Sequence, residues 1–183
     1  MVTINNEELR ETFNYILTIE NILTKEVRQI KGNKSYIDKI VPDHLMKVYS
    51  QKEKNAVIFA DKLTQTAYEN AILTLVATFE RITFAKYKTT YGTIKTLVID
   101  NAVKPLAYYK AREYFVYGNL DKLSGLIKLI EGHLSTDLAR KLNTIKQHRN
   151  YIAHGKNTEP PISEMKLDEI AKTLDEVIRE IES

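Results

Sequence analysis

The chain contains no cysteine, no tryptophan, and only six glycines and four prolines in 183 residues. The absence of cysteine excludes disulfide bonds and thiolate catalysis, and it gives no support to an oxidising compartment. Because glycine and proline are scarce, regular structure has few interruptions, which favours long helices over many short strands. No apolar run reaches the roughly 20 residues of a membrane span, and the N-terminus lacks the basic flank and apolar core of a secretory signal. We therefore expect a cytoplasmic protein with no membrane partner.

The overall composition is that of a soluble globular protein, with 43% hydrophobic and 28% charged residues. The length suits one sizeable domain, and no repeat, low-complexity tract or linker divides it. We therefore predict a single domain spanning residues 1–183.

Apolar residues recur at helical spacing along most of the chain, which predicts an all-α, up-and-down helical bundle. Asn5 or Asn6 can cap a first helix that closes at Lys31-Gly32. A long central helix of about 50 Å is predicted from Asn55 to about Thr89, with a break at Tyr91-Gly92. Its middle, AILTLVATFE (residues 71–80), is apolar almost all round and should be buried on several sides. The remaining helices are predicted at 42–53, 93–103, 105–117, 119–131, 135–153 and 164–182, with a short strand at VIDNAV (98–103) as an alternative.

Charge is unevenly distributed although the net charge is only +3. Residues 104–156 carry ten Lys or Arg against four Asp or Glu, whereas residues 157–183 carry three against eight. A basic block of this kind suits a phosphate-rich partner. The alternative is a solvated basic face paired with the acidic last helix.

Most catalytic motifs are absent. There is no Gly-rich phosphate loop, HExxH, CxxC or GxSxG, and the four histidines do not pair with carboxylates at metal-ligand spacing. No metal or cofactor is therefore expected. The carboxylate pairs Asp168-Glu169 and Asp175-Glu176 are interpreted as solvated residues on the outer face of the last helix.

The stretch QHRNYIAHGK (residues 147–156) combines the groups that cleave RNA without metal. Such cleavage needs a proton acceptor for the attacking 2′-hydroxyl, a proton donor for the leaving oxygen, and cations for the phosphate. Histidine titrates near neutrality and can fill either proton role, and arginine binds two phosphate oxygens through a fixed fork. Arg149 and His154 at a helix end are also favourable simply because of the helix dipole.

The spacing of Arg149 and His154 limits how they can act together. Five residues of ideal helix leave the two side chains about 140° apart, with a rise near 7.5 Å. Gly155 could bend the helix end through a left-handed cap, or a two-fold dimer could bring the arginine of one copy near the histidine of the other.

The stretch RNYIAH (residues 149–154) resembles the Arg-x4–6-His signature of the HEPN superfamily, the "higher eukaryotes and prokaryotes nucleotide-binding" domains. LVATFERITF (75–84) is similar to the earlier helix of its RiboL-PSP-type members, where an apolar helix carries a Phe-Glu pair. The resemblance implies an all-helical, homodimeric, metal-independent endoribonuclease, often a toxin or anti-phage component with a cognate antitoxin. One toxin subset has a modified tyrosine at the position of Lys156, so that form of regulation is not expected.

Carried over residue by residue, the resemblance implies that Arg149 stabilises the phosphate, His154 is general acid or base, and Asn150 orients or contacts the substrate. It also suggests that Glu80 could hold Arg149, although a surface or capping role is equally open. By proximity, we expect three basic residues to line an RNA-binding cleft: Lys146, His148 and Lys156. Two alternatives remain: a catalytically inactive module that binds RNA, nucleotide or a partner, and a helical interaction protein without a ligand.

Overall fold

The computed structural model describes residues 2–33, 56–99, 125, 127, 130, 133–156 and 165–182. Four helices are defined within these residues: α1 (Glu7–Gly32), α2 (Ala56–Ile99), α3 (Thr136–Ala153) and α4 (Leu167–Glu182). No strand occurs in the described residues, so the all-α prediction is confirmed for this part of the chain. The helices predicted at 42–53 and 105–117 lie outside the described residues, as does most of 119–131.

Helix α1 begins where its cap was predicted. The side-chain oxygen of Asn6 accepts a hydrogen bond from the backbone N–H of Leu9 at 3.1 Å, which satisfies one of the amides left without a partner in the first turn. Leu9, Phe13 and Ile16 are buried along one face, as the 3.6-residue period requires. The helix ends at Gly32, as the sequence predicted.

Helix α2 is longer than predicted. It continues without interruption through Gly92 to Ile99, so the predicted break at Tyr91-Gly92 and the separate helix at 93–103 were wrong. The strand alternative at 98–103 also fails for Val98 and Ile99, which are helical. A glycine inside a helix costs only about 1 kcal/mol relative to alanine, which a long helix tolerates.

The middle of α2 is buried on several sides, as predicted. Ile72, Leu75, Val76 and Phe79 are each at most 1% exposed, and Thr78 on a neighbouring face is also buried. Only Thr74 and Ala77 are exposed within residues 71–80. This stretch therefore contributes several fully buried apolar side chains to the core.

Helices α3 and α4 pack against each other. Ser135 caps α3, its hydroxyl accepting a hydrogen bond from the Leu138 amide at 3.3 Å. Residues at the start of α3 and near the end of α4 line one open cavity of about 300 Å³; among them are Asp137 of α3 and Arg179 of α4. The two helices therefore run antiparallel, and the C-terminal end of α3 lies towards the start of α4.

The described chain divides into two compact units. The first comprises Met1–Arg10 and Ile72–Ser183. Ion pairs in it join Arg81 of α2 to Glu8 of α1, and Lys86 of α2 to Glu182 of α4 at 3.1 Å. These contacts place the second half of α2 beside α4 and beside the start of α1.

The second unit comprises Glu11–Ala71. In it, Ile30 of α1 and Ala60 of α2 are fully buried, and partly buried apolar side chains pack around them: Val27, Phe59 and Leu63. Lys31 donates a hydrogen bond to Asp61 at 2.7 Å on the exposed side of this contact. The two helices are therefore joined by an apolar seam with one ion pair at its edge.

Asp175 corrects one interpretation of the sequence. Asp168 and Glu169 are exposed, as predicted, but Asp175 is only 1% exposed. Its carboxylate accepts hydrogen bonds from the backbone amides of Asn5 and Asn6 at 2.9 and 2.8 Å, and from the Asn5 side chain at 3.0 Å. Asp175 thus fixes the N-terminal segment to α4, a contact across about 170 residues that local periodicity could not reveal.

None of the described helices has the length and apolar character needed to cross a membrane.

Candidate functional site

The C-terminal end of α3 is closed by a backbone cap that begins after His154. Gly155 has a φ of 66°. Its N–H donates to the Ile152 carbonyl at 3.1 Å, and the N–H of Lys156 donates to the Tyr151 carbonyl at 2.8 Å. This pair of bonds is the Schellman motif, which satisfies carbonyls left without a partner at a helix C-terminus. The left-handed cap expected at Gly155 is therefore present.

His154 itself stays close to the helical register. Its N–H donates to the Asn150 carbonyl at 3.0 Å, the normal four-residue helical bond, and its φ is −94°. Since the chain turns left-handed only at Gly155, the cap does not redirect the His154 side chain. The imidazole is exposed, and it leaves the helix roughly 140° from Arg149.

Arg149 is oriented by two neighbours. Its Nη1 donates to the Asn150 side-chain oxygen at 3.3 Å, and its Nη2 lies 4.0 Å from Oε1 of Glu80 on α2. The side chains of Arg149 and Glu80 are 33% and 27% exposed. The guanidinium is therefore positioned at the edge of the core, with donors left over for a ligand from solvent.

Glu80 has a raised pKa. Partial burial, which disfavours the charged carboxylate, is the larger cause, and the nearby Arg149 guanidinium partly offsets it by lowering the pKa. The 4.0 Å separation is at the limit of an ion pair, so Glu80 lies beside the Arg149 guanidinium but beyond hydrogen-bond distance. Of the two roles open from the sequence, the geometry places Glu80 beside Arg149.

The three basic residues expected around the site have different environments. Lys156 is exposed and Lys146 is partly exposed. His148 is only 4% exposed and belongs to the buried face of α3 with Leu138, Leu142 and Ile145. This burial argues against the expected role of His148 in lining an RNA-binding surface, because its ring faces the core.

Phe84 is an additional candidate that the sequence did not single out. It lies one helical turn after Glu80 on the same face of α2, and it is 38% exposed. An exposed phenylalanine in a helix pattern is common, so its spacing carried no signal. Phe84 is a candidate because it lies one helical turn from Glu80, the residue that contacts Arg149.

The described residues contain no group of three or more His, Cys, Asp or Glu side chains arranged to hold a metal ion. The arrangement at the end of α3 offers instead an oriented guanidinium, an amide and an exposed imidazole.

Comparisons with protein-family models, with curated proteins and with solved structures found no match to this chain.

Proposed function

We propose that the protein is a metal-independent endoribonuclease of the HEPN class, acting as a homodimer, with a role as a toxin or anti-phage component. The observation that carries the proposal is the arrangement of Arg149, held by Asn150 and Glu80, on the same helix end as the exposed His154. These are the groups that transesterification of RNA requires without a metal.

The proposed reaction uses the nucleophile that RNA already contains. The 2′-oxygen attacks the adjacent phosphorus while a base removes its proton, and the P–O5′ bond breaks as an acid protonates the leaving oxygen. The products are a 2′,3′-cyclic phosphate and a 5′-hydroxyl end. Arg149 stabilises the charge on the non-bridging oxygens, and His154 supplies one of the two proton transfers.

A second copy brings the two residues to one phosphate. Within one α3 helix, Arg149 emerges at the edge of the core and His154 emerges about 140° away, and the cap at Gly155 begins too late to redirect His154. A two-fold dimer that faces the two helix ends allows Arg149 of one copy to act with His154 of the other.

The surroundings of the site suit single-stranded RNA. Lys146 and Lys156 add positive charge along the same end of α3. The exposed ring of Phe84 offers a surface on which an unpaired base can stack.

The test is RNA cleavage by the purified protein in the presence of EDTA, with analysis of the product ends. We expect 2′,3′-cyclic phosphate ends, and we expect His154→Ala and Arg149→Ala to lower the rate at least 100-fold. His133→Ala is the matched control, because His133 is also exposed but lies before α3. Inert wild-type protein that binds RNA as tightly as His154→Ala would support the catalytically inactive binding module instead.

Complementation tests the dimer. Co-expressed Arg149→Ala and His154→Ala chains form mixed dimers with one arginine and one histidine on different copies. Recovered cleavage, absent from either variant alone, would support a shared site, and no recovery would place both residues on one copy.

Growth arrest by the wild type but not by His154→Ala would support the toxin role and justify a search for an antitoxin encoded nearby.

A further inference from the structure

Helix α1 has an exposed apolar stripe within the second unit. Tyr15, Ile19 and Ile22 are 66%, 39% and 57% exposed. Their spacing of four and three residues places them on one face of the helix. Val27 and Ile30, which pack against α2, lie nearer the C-terminal end of α1, about 110° and 50° around the helix from the centre of the stripe. The stripe is therefore additional to the seam that joins the two helices.

Charged residues follow one edge of this stripe in a self-complementary order. Glu11, Thr18 and Lys25 are spaced by seven residues, so they align along the helix within about 20° per step. All three are exposed, and within the described residues neither Glu11 nor Lys25 forms an ion pair. The edge therefore runs from negative to positive around a neutral centre.

This order selects the orientation of a second copy. In a parallel pair, Glu11 would face Glu11 and Lys25 would face Lys25, which is unfavourable. In an antiparallel pair with its two-fold axis near Thr18, Glu11 of each copy faces Lys25 of the other. The same register brings Tyr15 of each copy against Ile22 of the other and places both Ile19 side chains near the centre.

We propose that the α1 stripe is a docking surface for a second copy of this chain, paired antiparallel through Tyr15, Ile19 and Ile22 and flanked by two Glu11–Lys25 ion pairs. Three apolar side chains per copy provide less than the roughly 800 Å² per partner of a standard interface. The association through α1 is therefore weak and depends on concentration and ionic strength.

The test is sedimentation equilibrium over a range of protein concentrations. We expect Ile19→Glu, at an exposed position, to weaken association more than tenfold while the helical circular dichroism is unchanged. Glu11→Lys or Lys25→Glu alone should weaken it on the order of tenfold, because each replaces two attractions with two repulsions. Glu20→Lys is the matched control for Glu11→Lys, since it makes the same charge change at an exposed position on the opposite side of α1.

Mixing the two charge variants tests the register itself. In a heterodimer of Glu11→Lys with Lys25→Glu, both flanking pairs are again attractive, so the mixture should associate like the wild type although neither variant does alone. Failure of the mixture to recover, or charge variants that associate like the wild type, would refute the antiparallel pairing. A monomeric wild type would refute both this pairing and the dimer proposed at α3, whereas a wild-type dimer whose association is unchanged in the α1 variants would refute the α1 pairing alone. The chemistry of the nuclease proposal is judged separately by RNA cleavage.

Discussion

Replacing Asp175 by alanine removes the contact that fixes the N-terminal segment to α4. The carboxylate accepts three hydrogen bonds of 2.8 to 3.0 Å from Asn5 and Asn6, and it lies 3.6 Å from Nε of Arg179. In the alanine variant, two backbone amides lose their acceptor at the start of α1. We therefore expect a large loss of stability from a residue that takes no part in the proposed chemistry.

The size of the effect follows from the partners. A hydrogen bond to a charged group contributes about 1.5–3 kcal/mol, so the three bonds give an upper sum of roughly 4.5–9 kcal/mol. Asn5 is exposed and Asn6 is half-buried, so water replaces part of what is lost. We expect Asp175→Ala to lower the free energy of unfolding by about 3 kcal/mol, and Asp175→Asn, which keeps one acceptor oxygen, by about 1–2 kcal/mol.

Urea unfolding followed by circular dichroism measures these differences. Glu176→Ala is the matched control, because Glu176 is the next carboxylate on α4. It is partly exposed, and its ion pair with Lys172 is long, at 3.8 Å. Its replacement should cost under about 1 kcal/mol. If Asp175→Ala and Glu176→Ala lowered the free energy of unfolding equally, the anchoring role of Asp175 would be refuted.

Two further predictions concern backbone and charge. Gly155→Ala should destabilise the protein by about 1 kcal/mol, because Gly155 has a φ of 66°. Gly32→Ala, by contrast, should be neutral or stabilising by up to about 1 kcal/mol, because Gly32 is helical and an added methyl meets no atom within 4 Å. Equal shifts of the melting temperature in the two variants would contradict this difference between the two glycines. Burial raises the Glu80 pKa, so the Glu80 carboxyl group holds its proton more tightly in the folded state than in the unfolded state. The contribution of Glu80 to stability therefore falls as pH rises from about 4.5 through the folded pKa. Glu80→Gln should remove that component from a stability–pH profile, and an unchanged profile would show that Glu80 is not its source.

The helices that the sequence predicted correctly are those whose ends depend on local signals. Asn6 and Ser135 cap α1 and α3 through hydrogen bonds to amides three residues ahead, and Gly155 closes α3 through neighbouring carbonyls. Each signal lies within six residues of the structure it determines. Such features can be predicted from a single sequence.

The features that the sequence did not predict depend on distant parts of the chain or on small energy differences. Asp175 has the same local pattern as an exposed carboxylate, and only its contact with Asn5 and Asn6 distinguishes it. Gly92 resembles a helix end, but its cost of about 1 kcal/mol is too small to end a long helix. His148 looks like part of a basic cluster, yet the register of α3 buries it.

The register of α3 links the packing of the protein to its proposed chemistry. Leu138, Leu142, Ile145 and His148 form the buried face, so the position of every other side chain around the helix is fixed by the core. Arg149 follows the last of them and emerges at the rim, where Glu80 reaches it, whereas His154 lies on the side of the helix away from the core. Because both side chains belong to one helix, rotating α3 as a whole would expose this apolar face and leave the angle between Arg149 and His154 unchanged. For the proposed reaction, the core therefore favours a site completed by a second copy over one completed by a change in the helix.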